Sequence, residues 1–239
     1  MELDKRDDFV IYGGRQFFVE EGVLNLCLKG IEEITELKRL EKIKNLKTLD
    51  LSQNEIFDIR GLDNLAALEY LDLSHNFIVQ IEGLDKLINL KYLDLHSNKI
   101  LEIERLENLR NLETLNLCYN EIIELKGFEN LSNLKQLILS GNQLRDLKGI
   151  ENLYNLSELH LHDCPFSEVP KLDFLKNLKV LGLNRTRLSN INSLKYARDY
   201  TLMIKETPIT KDIIEIYGGI IGDNGTVLNL SEVLKNCGL

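Results

Sequence analysis

The sequence has no tryptophan, only three prolines and only four cysteines among its 239 residues. The cysteines (Cys27, Cys118, Cys164 and Cys237) show no paired spacing, so we expect no disulfide framework and a reducing compartment. The first residues lack a basic start followed by an apolar run, and no stretch approaches the roughly 20 apolar residues of a membrane span. These absences predict a protein of the cytoplasm or the nucleus that does not contact a membrane.

An excess of basic residues is also missing. The chain has 29 Lys and Arg against 38 Asp and Glu, which gives a formal net charge of −9. Proteins that bind the nucleic-acid backbone normally carry a basic patch or stripe. We therefore expect no direct binding to nucleic acid. The acidic balance suits a basic protein partner, and it equally suits ordinary solubility.

Motifs for catalysis are absent as well. The sequence contains no nucleophile elbow, phosphate-binding loop, paired catalytic carboxylates or zinc signature. Its two Gly-Gly pairs, Gly13-Gly14 and Gly218-Gly219, are interpreted as turns, because neither opens a strand–loop–helix unit. We predict that the protein is not an enzyme and has no catalytic, cofactor-binding or metal-binding residues.

What the sequence does contain is a repeat of about 22 residues over positions 46–198. Its clearest copies begin LKTLDLSQNEI, LEYLDLSHNFI, LKYLDLHSNKI, LETLNLCYNEI and LKQLILSGNQL. In the first copy, Leu49 and Leu51 alternate with polar neighbours, as in a strand with one buried face. Apolar residues then recur at every third position, which suits a tight helical return. These residues are Ile56, Ile59, Leu62 and Leu65.

Stacked units of this kind predict an α/β solenoid. We expect a curved stack with parallel strands on the concave face and short helical or 3-10 returns on the convex face. The predicted parts are an N-terminal cap with a hairpin at 1–22, about nine rungs at 23–207, and a C-terminal cap at 208–239. The C-terminal cap is expected to begin with an amphipathic helix capped by Thr210.

One position of the repeat is asparagine in five successive units. An amide side chain both donates and accepts hydrogen bonds, so this column is predicted to satisfy the backbone groups of neighbouring turns. Further along, the column changes to side chains that donate weakly or only once, and we expect the last third of the chain to be more irregular. The column reads Asn54, Asn76, Asn98, Asn120, Asn142, Cys164, Thr186 and Thr207.

The unit LEYLDLSHNFIVQIEGLDKLIN fits the pattern LxxLxLxxNxIxxIxGLxxLxN. Over residues 24–207 the chain therefore resembles the 22-residue class of leucine-rich repeats, which includes the leucine-rich-repeat regulatory subunit of type-1 protein phosphatase. The family of that regulatory subunit is intracellular and binds the phosphatase catalytic subunit through aromatic and acidic residues of its concave face. The resemblance implies a protein-binding regulatory module with this partner. The alternative is a structural or adaptor component of a spliceosomal, ribosomal or cytoskeletal assembly. We expect a monomer in isolation.

The concave face offers a first candidate contact region of tyrosines beside carboxylates. Tyrosine is enriched among residues that dominate interface energies, and carboxylates on neighbouring strands repel one another until a basic partner approaches. The simpler interpretation is that these acids belong to the repeat pattern and are solvated. The region comprises Asp50, Tyr70, Asp72, Tyr92, Asp94 and Tyr119.

A second candidate region lies where the repeat pattern degrades. Two apolar residues interrupt a polar face there, and two histidines project on the same side. A His-x-His pair on a flat strand lacks a convergent further ligand for a metal, so a proton-sensitive or ordinary polar contact is favoured. The candidates are Ile138, Glu158, His160, His162, Arg185 and Met203.

A third surface is a row of apolar residues, one per unit, directly after a core isoleucine. The sequence does not decide whether these side chains are buried under the returns or form an exposed stripe that docks a partner. This apolar edge row consists of Phe57, Val79, Leu101 and Ile123.

Overall fold

In the part of the chain that the structure describes, nine short strands form a single parallel sheet, in the order in which they occur along the chain. The computed structural model describes residues 8–168, 171–196 and 200–238. Equivalent residues pair across neighbouring strands, so that Leu49 lies opposite Leu71. The strands are β3 Val23–Asn25, β4 Thr48–Asp50, β5 Tyr70–Asp72, β6 Tyr92–Asp94, β7 Thr114–Asn116, β8 Gln136–Ile138, β9 Glu158–His160, β10 Val180–Gly182 and β11 Thr201–Met203.

The core runs through the solenoid between the sheet and the returns. Four side chains of one rung have no exposed surface: Leu49 of β4, Leu51 directly after it, and Ile56 and Ile59 of the return. Each further rung adds an equivalent set to the same apolar cluster. Because every unit buries its apolar face against its neighbours, a single unit is not stable by itself. The predicted solenoid, with its strands on the concave face, is confirmed.

The returns on the convex face are short. 3-10 helices occupy Ile34–Glu36, Leu40–Lys42 and Ile191–Tyr196. In the regular rungs between them, single turns replace helices: the Leu65 N–H donates to the Leu62 carbonyl, and the pattern recurs in later rungs. The three-residue spacing of apolar residues produces this geometry, because a tight turn returns to the same face after three residues.

The asparagine column is buried and joins neighbouring rungs. Nδ2 of Asn76 donates to the carbonyls of Leu73 and Ser74 in its own turn and of Leu51 in the preceding rung, at 3.0–3.2 Å. Its Oδ1 accepts the Ile56 N–H at 3.0 Å. The other four asparagines also bond the rung before them. One side chain thus satisfies backbone groups of two rungs that the turn has buried.

The later members of the column make fewer bonds. The hydroxyls of Thr186 and Thr207 each donate to a carbonyl three residues back, at 2.8 and 2.9 Å. The thiol of Cys164 contacts the Leu139 carbonyl of the preceding rung at 3.4 Å. Unlike the asparagines, the two threonine hydroxyls are not found to accept a backbone N–H from the preceding rung in the described part of the chain. The expectation that they donate once or weakly agrees with these contacts.

Each end of the sheet is covered by a short element. At the N-terminal end, β1 (Phe9–Tyr12) and β2 (Arg15–Phe18) form an antiparallel hairpin. Ile11 exchanges two backbone hydrogen bonds with Lys38 at the first return. At the C-terminal end, the free edge of β11 bonds an extended segment: the Val227 N–H donates to the Leu202 carbonyl at 2.9 Å. The edge of a nine-stranded sheet is thereby kept from pairing with other chains.

After the last rung the structure describes α1 (Thr210–Glu215) and α2 (Leu230–Asn236). The prediction that Thr210 caps the first of them is wrong, because Thr210 is its first residue and Ile209 holds the cap position without a side-chain bond. The Thr210 hydroxyl instead donates to the Ile204 carbonyl at 2.6 Å. The hydroxyl thus provides a hydrogen-bond donor for a backbone carbonyl of the last rung. Within the described ranges, neither helix has the length and apolar character to cross a bilayer.

Candidate functional site

The rings of Tyr70 and Tyr92 stack on the concave face. Their centroids lie 4.2 Å apart and their planes are 3° from parallel. The in-register pairing of β5 with β6 places the two residues opposite each other, and neighbouring strands are about 4.8 Å apart, which suits ring stacking. Both residues are partly exposed. Burial raises the pKa of both phenols, so the pair is neutral at physiological pH and offers an amphipathic contact surface.

Asp94 is a buried residue beside this pair, and it contacts Tyr92. It is only 6% exposed. Its Oδ1 accepts the backbone N–H of His96 at 2.9 Å and lies 2.8 Å from Nδ1 of the same residue. Its Oδ2 accepts the Tyr92 hydroxyl and the Asn116 amide, both at 3.0 Å. With four partners the carboxylate is satisfied internally, so its role is to position Tyr92 rather than to offer charge to a partner.

Asp50 and Asp72 are the two more accessible carboxylates of this region. Asp72 accepts the Ser74 N–H at 2.9 Å, and Asp50 accepts the Ser52 N–H at 2.9 Å and the Asn25 amide at 3.0 Å. Burial raises the pKa of Asp72, and the neighbouring carboxylates of Asp94 and Asp50 add to the rise. The neighbouring carboxylates thus disfavour the charged form of Asp72, and an approaching cation would favour it.

Two histidines extend the network beyond Asp94. Nε2 of His96 lies 2.9 Å from Nε2 of His75, with the rings edge to face. Such a contact needs one protonated and one unprotonated nitrogen. The sequence did not predict this pair, because His75 and His96 do not occupy equivalent positions of their repeats. The signal was their spacing of 21 residues in a repeat of 22, which brings the turn residue His75 next to His96, two residues after the end of β6.

Tyr119 lies at the rim of the concave face. It is 56% exposed and has a left-handed backbone, with φ of 52°. Its ring passes over Gly141 of the next rung, where an added Cβ would approach Cδ1 of Tyr119 to 2.4 Å. Gly141 therefore makes room for the ring. The structure places Tyr119 at the turn, while Tyr70 and Tyr92 lie on the strands.

In the second region, His162 is held neutral by its surroundings. Its Nδ1 accepts the Asn184 N–H at 3.0 Å. Burial, with smaller contributions from His160 and Arg185, lowers the pKa of His162 to about 4. His160 lies close by, with a ring-centroid distance of 5.6 Å, and its Nε2 is 3.4 Å from Oε2 of Glu158. The two histidines therefore differ in environment although they are two residues apart.

The two apolar candidates of this region, Ile138 and Met203, are not neighbours in the sheet. The sheet register aligns Ile138, His160, Gly182 and Met203 across β8 to β11. The space over Gly182 is occupied by the His162 ring, since an added Cβ there would lie 2.3 Å from Cε1 of that ring. Ile138 and Met203 are both partly exposed but are not adjacent.

Arg185 is the cation of the second region, and it is already paired. Its Nε and Nη2 each donate to one oxygen of Asp163 at 2.6 Å. The sequence predicted that Arg185 contacts a partner, but this two-point hydrogen bond already pairs its charge within the chain. Among the described residues, no three His, Cys, Asp or Glu side chains are grouped so that they could hold a metal ion.

Sequence reasoning also missed a row of alternating charges where the strands begin. Glu69 lies 2.6 Å from Nζ of Lys47 and 2.7 Å from Nζ of Lys91. Glu113 pairs with Lys135 at 2.8 Å. The hydrogen bonds from the two lysines lower the pKa of Glu69 to about 2. The signal in the sequence was the alternation of Lys and Glu at one repeat position. In this row, which borders the concave face, the paired charges neutralise one another.

Models of known families agree with this architecture. One, described as "Leucine rich repeat", matches residues 24–78, and another, "Leucine Rich repeats (2 copies)", matches 66–110 and 110–154. Together they cover residues 24–154 without a gap, which is more than half of the chain. Such repeats are typically protein-interaction modules, and proteins built from them are generally not enzymes.

Solved structures with the same fold include two internalins of Listeria monocytogenes. Internalin C2 has a TM-score of 0.69 and 28% identity over 77% of this chain and 80% of its own. Internalin F has a TM-score of 0.61 and 24% identity over 77% of this chain and 61% of its own, which shows the fold alone. A comparison with curated protein sequences gave no match. From its repeats, its nine-stranded parallel sheet and these matches, the chain is a member of the leucine-rich-repeat family.

Proposed function

We propose that this protein is a regulatory binding module that holds a protein partner against its concave face. The observation that carries the proposal is the stacked pair of Tyr70 and Tyr92, fixed from below by Asp94. A pair of large aromatic side chains that is ordered before binding loses little conformational entropy when a partner covers it. The accessible carboxylates of Asp50 and Asp72 beside the pair favour a partner with basic residues.

The proposed partner is the catalytic subunit of a type-1 protein phosphatase. Its support is the resemblance of the 22-residue repeat, together with the aromatic and acidic residues that this chain presents on the concave face. In this role the module would retain or escort the phosphatase in the cytoplasm or nucleus by equilibrium binding. Tyr119 at the rim, and Ile138 and Met203 further along, would extend the contact.

The test is a titration of the purified catalytic subunit with the purified module. Two variants are compared with the wild type: the double variant Tyr70→Ala/Tyr92→Ala, and the control Tyr154→Ala. Tyr154 is 55% exposed and lies in a return. Truncating an interface residue that dominates binding costs about 2 kcal/mol or more. The double variant should therefore raise the dissociation constant at least thirtyfold, and the control should leave it unchanged.

Other outcomes separate the two functions. If the wild-type module does not bind the phosphatase, the proposed partner is wrong. If purification from cells then recovers a ribonucleoprotein or a filament in stoichiometric amounts, the adaptor function takes its place. If the phosphatase binds the double variant as tightly as the wild type, the concave tyrosines are not the contact and the proposed site is wrong.

A further inference from the structure

The apolar edge row is exposed, which settles the question that the sequence left open. Phe57, Val79, Leu101 and Ile123 are 52%, 41%, 48% and 58% exposed. Each follows a fully buried isoleucine in the segment that leads from the sheet into the return. Phe77, 47% exposed, widens the row at its second position. Four successive rungs thus present a continuous apolar stripe away from the concave face.

The stripe has defined ends. The position equivalent to Phe57 is Glu32 in the preceding rung, and the position equivalent to Ile123 is Arg145 in the following rung. Both of these charged residues are exposed. Rungs are about 4.8 Å apart, so four side chains span roughly 15 Å. The apolar residues of an α-helix at positions i, i+4, i+7 and i+11 span about 16 Å. One face of a three-turn helix therefore matches the stripe in length and spacing.

The residues that flank the stripe are mostly acidic. The positions two before and one after each apolar residue hold five carboxylates and one ammonium group: Glu55, Asp58, Lys99, Glu102, Glu121 and Glu124. Asp58 is paired with Arg60, and Glu124 with Lys126 at 2.8 Å. The other three carboxylates form no ion pair with any residue that the structure describes. The border of the stripe is therefore negative, and it complements lysine or arginine.

The geometry points to a second docking surface: the apolar edge row binds a basic amphipathic helix of a partner, laid along the axis of the solenoid. The helix inserts one apolar residue per turn against the four rungs. Its flanking basic residues lie over Glu55, Glu102 and Glu121. This surface is separate from the concave face and does not depend on the tyrosine pair.

The test uses a 16-residue synthetic helix with leucine at positions spaced i, i+4, i+7 and i+11 and lysine and alanine elsewhere. Its binding to the full chain is measured by fluorescence anisotropy at 50 and 300 mM NaCl. The variant is Leu101→Lys/Ile123→Lys. The matched control is Ile88→Lys, since Ile88 is 52% exposed but lies outside the row. Thermal unfolding verifies that each variant is folded, and Leu101→Ser/Ile123→Ser replaces the lysine variant if it is not.

We expect the row variant to bind the peptide at least tenfold more weakly than the wild type. The Ile88→Lys control and Tyr70→Ala/Tyr92→Ala should remain within twofold of it. A peptide with serine in place of the four leucines should bind at least tenfold more weakly. Equal binding by that serine peptide, or by the row variant, would overturn the inference. So would a wild-type dimer in sedimentation that the row variant dissociates, because a second copy of the chain would then be the occupant.

Discussion

The hydroxyl of Tyr92 donates a hydrogen bond to Oδ2 of Asp94, 3.0 Å away and two residues further along the same strand. This bond turns a repeated acidic residue into a support for an aromatic side chain. Without it, the stacked ring could leave its partner Tyr70 and lose the geometry that the concave face presents. The relationship makes Asp94 structurally different from Asp50 and Asp72, although the three occupy the same position of successive rungs.

Replacing Asp94 should therefore cost more than replacing its neighbour. Asp94→Ala leaves the Tyr92 hydroxyl, the Asn116 amide and the His96 N–H without their acceptor, and hydrogen bonds to a charged group contribute about 1.5–3 kcal/mol. We expect the free energy of unfolding in urea to fall by about 3 kcal/mol. Asp72→Ala is the control and should lower it by about 1 kcal/mol. Equal effects at the two positions would show that the Asp94 network contributes nothing special.

The inner asparagine column is expected to be the strongest polar contribution to the rungs. Asn76→Ala removes a donor to three carbonyls and the acceptor of the Ile56 N–H, which should lower the unfolding free energy by about 3 kcal/mol. The control is Asn111→Ala, whose amide makes one exposed bond to the Ile88 carbonyl. It should cost under about 1 kcal/mol in the same urea titration. A control as costly as Asn76→Ala would contradict this account.

A substitution at Cys164, in the later part of the asparagine column, should stabilise the fold. Where Cys164 stands, an asparagine would supply an acceptor for the Leu144 N–H, for which the described residues offer none. An added buried hydrogen bond contributes about 1 kcal/mol. Cys164→Asn should therefore raise the urea midpoint, while Cys118→Asn, outside the column, should not. A lower midpoint for Cys164→Asn would mean that Pro165 has changed the turn too far for an amide to fit.

Stability should depend on the protonation of His162. Burial holds its folded pKa at about 4, below the ordinary value of about 6.5, so the unfolded state binds the proton more readily between these values. The associated stability is complete above pH 6.5 and is lost as the pH falls toward 4. The loss is roughly 2–3 kcal/mol. Urea unfolding at pH 7 and pH 4.5 measures it, and His162→Gln should remove most of the difference between the two.

A variant as pH-sensitive as the wild type would assign the loss to other groups. The charges that face His162 are His160, Arg185 and Asp163. Of these, Asp163 favours the protonated form, and the other two oppose it. Asp163→Asn should therefore lower the pKa of His162 further, which a nuclear magnetic resonance titration of the imidazole would detect.

The regular part of the fold could be predicted because its signals are local and repeated. Alternating leucines at 49 and 51 specify a strand, and apolar residues at every third position specify the tight return. The asparagine column could be interpreted for the same reason, since its chemistry follows from one side chain and one turn. These features need only the spacing along the chain and the register, which a 22-residue repeat fixes.

The site could be predicted only in outline. Sequence spacing placed Tyr70 beside Tyr92, but it could not show that Asp94 would be buried, because burial depends on the side chains at 96 and 116. Likewise, Arg185 seemed available until the structure placed it on Asp163 in the preceding rung. The Thr210 cap was wrong because the hydroxyl had a competing acceptor in Ile204, six residues away. Such choices among partners depend on three-dimensional contacts.

The most direct test of concave-face binding is hydroxyl-radical footprinting of the module alone and in complex with its partner, starting with the phosphatase catalytic subunit. Oxidation of tyrosine and methionine reports their exposure. We predict that Tyr92, Tyr119 and Met203 are oxidised at least threefold more slowly in the complex, while Tyr154 on a return is unchanged. Protection of Tyr154 with no change at Tyr92 and Tyr119 would contradict binding through the concave face.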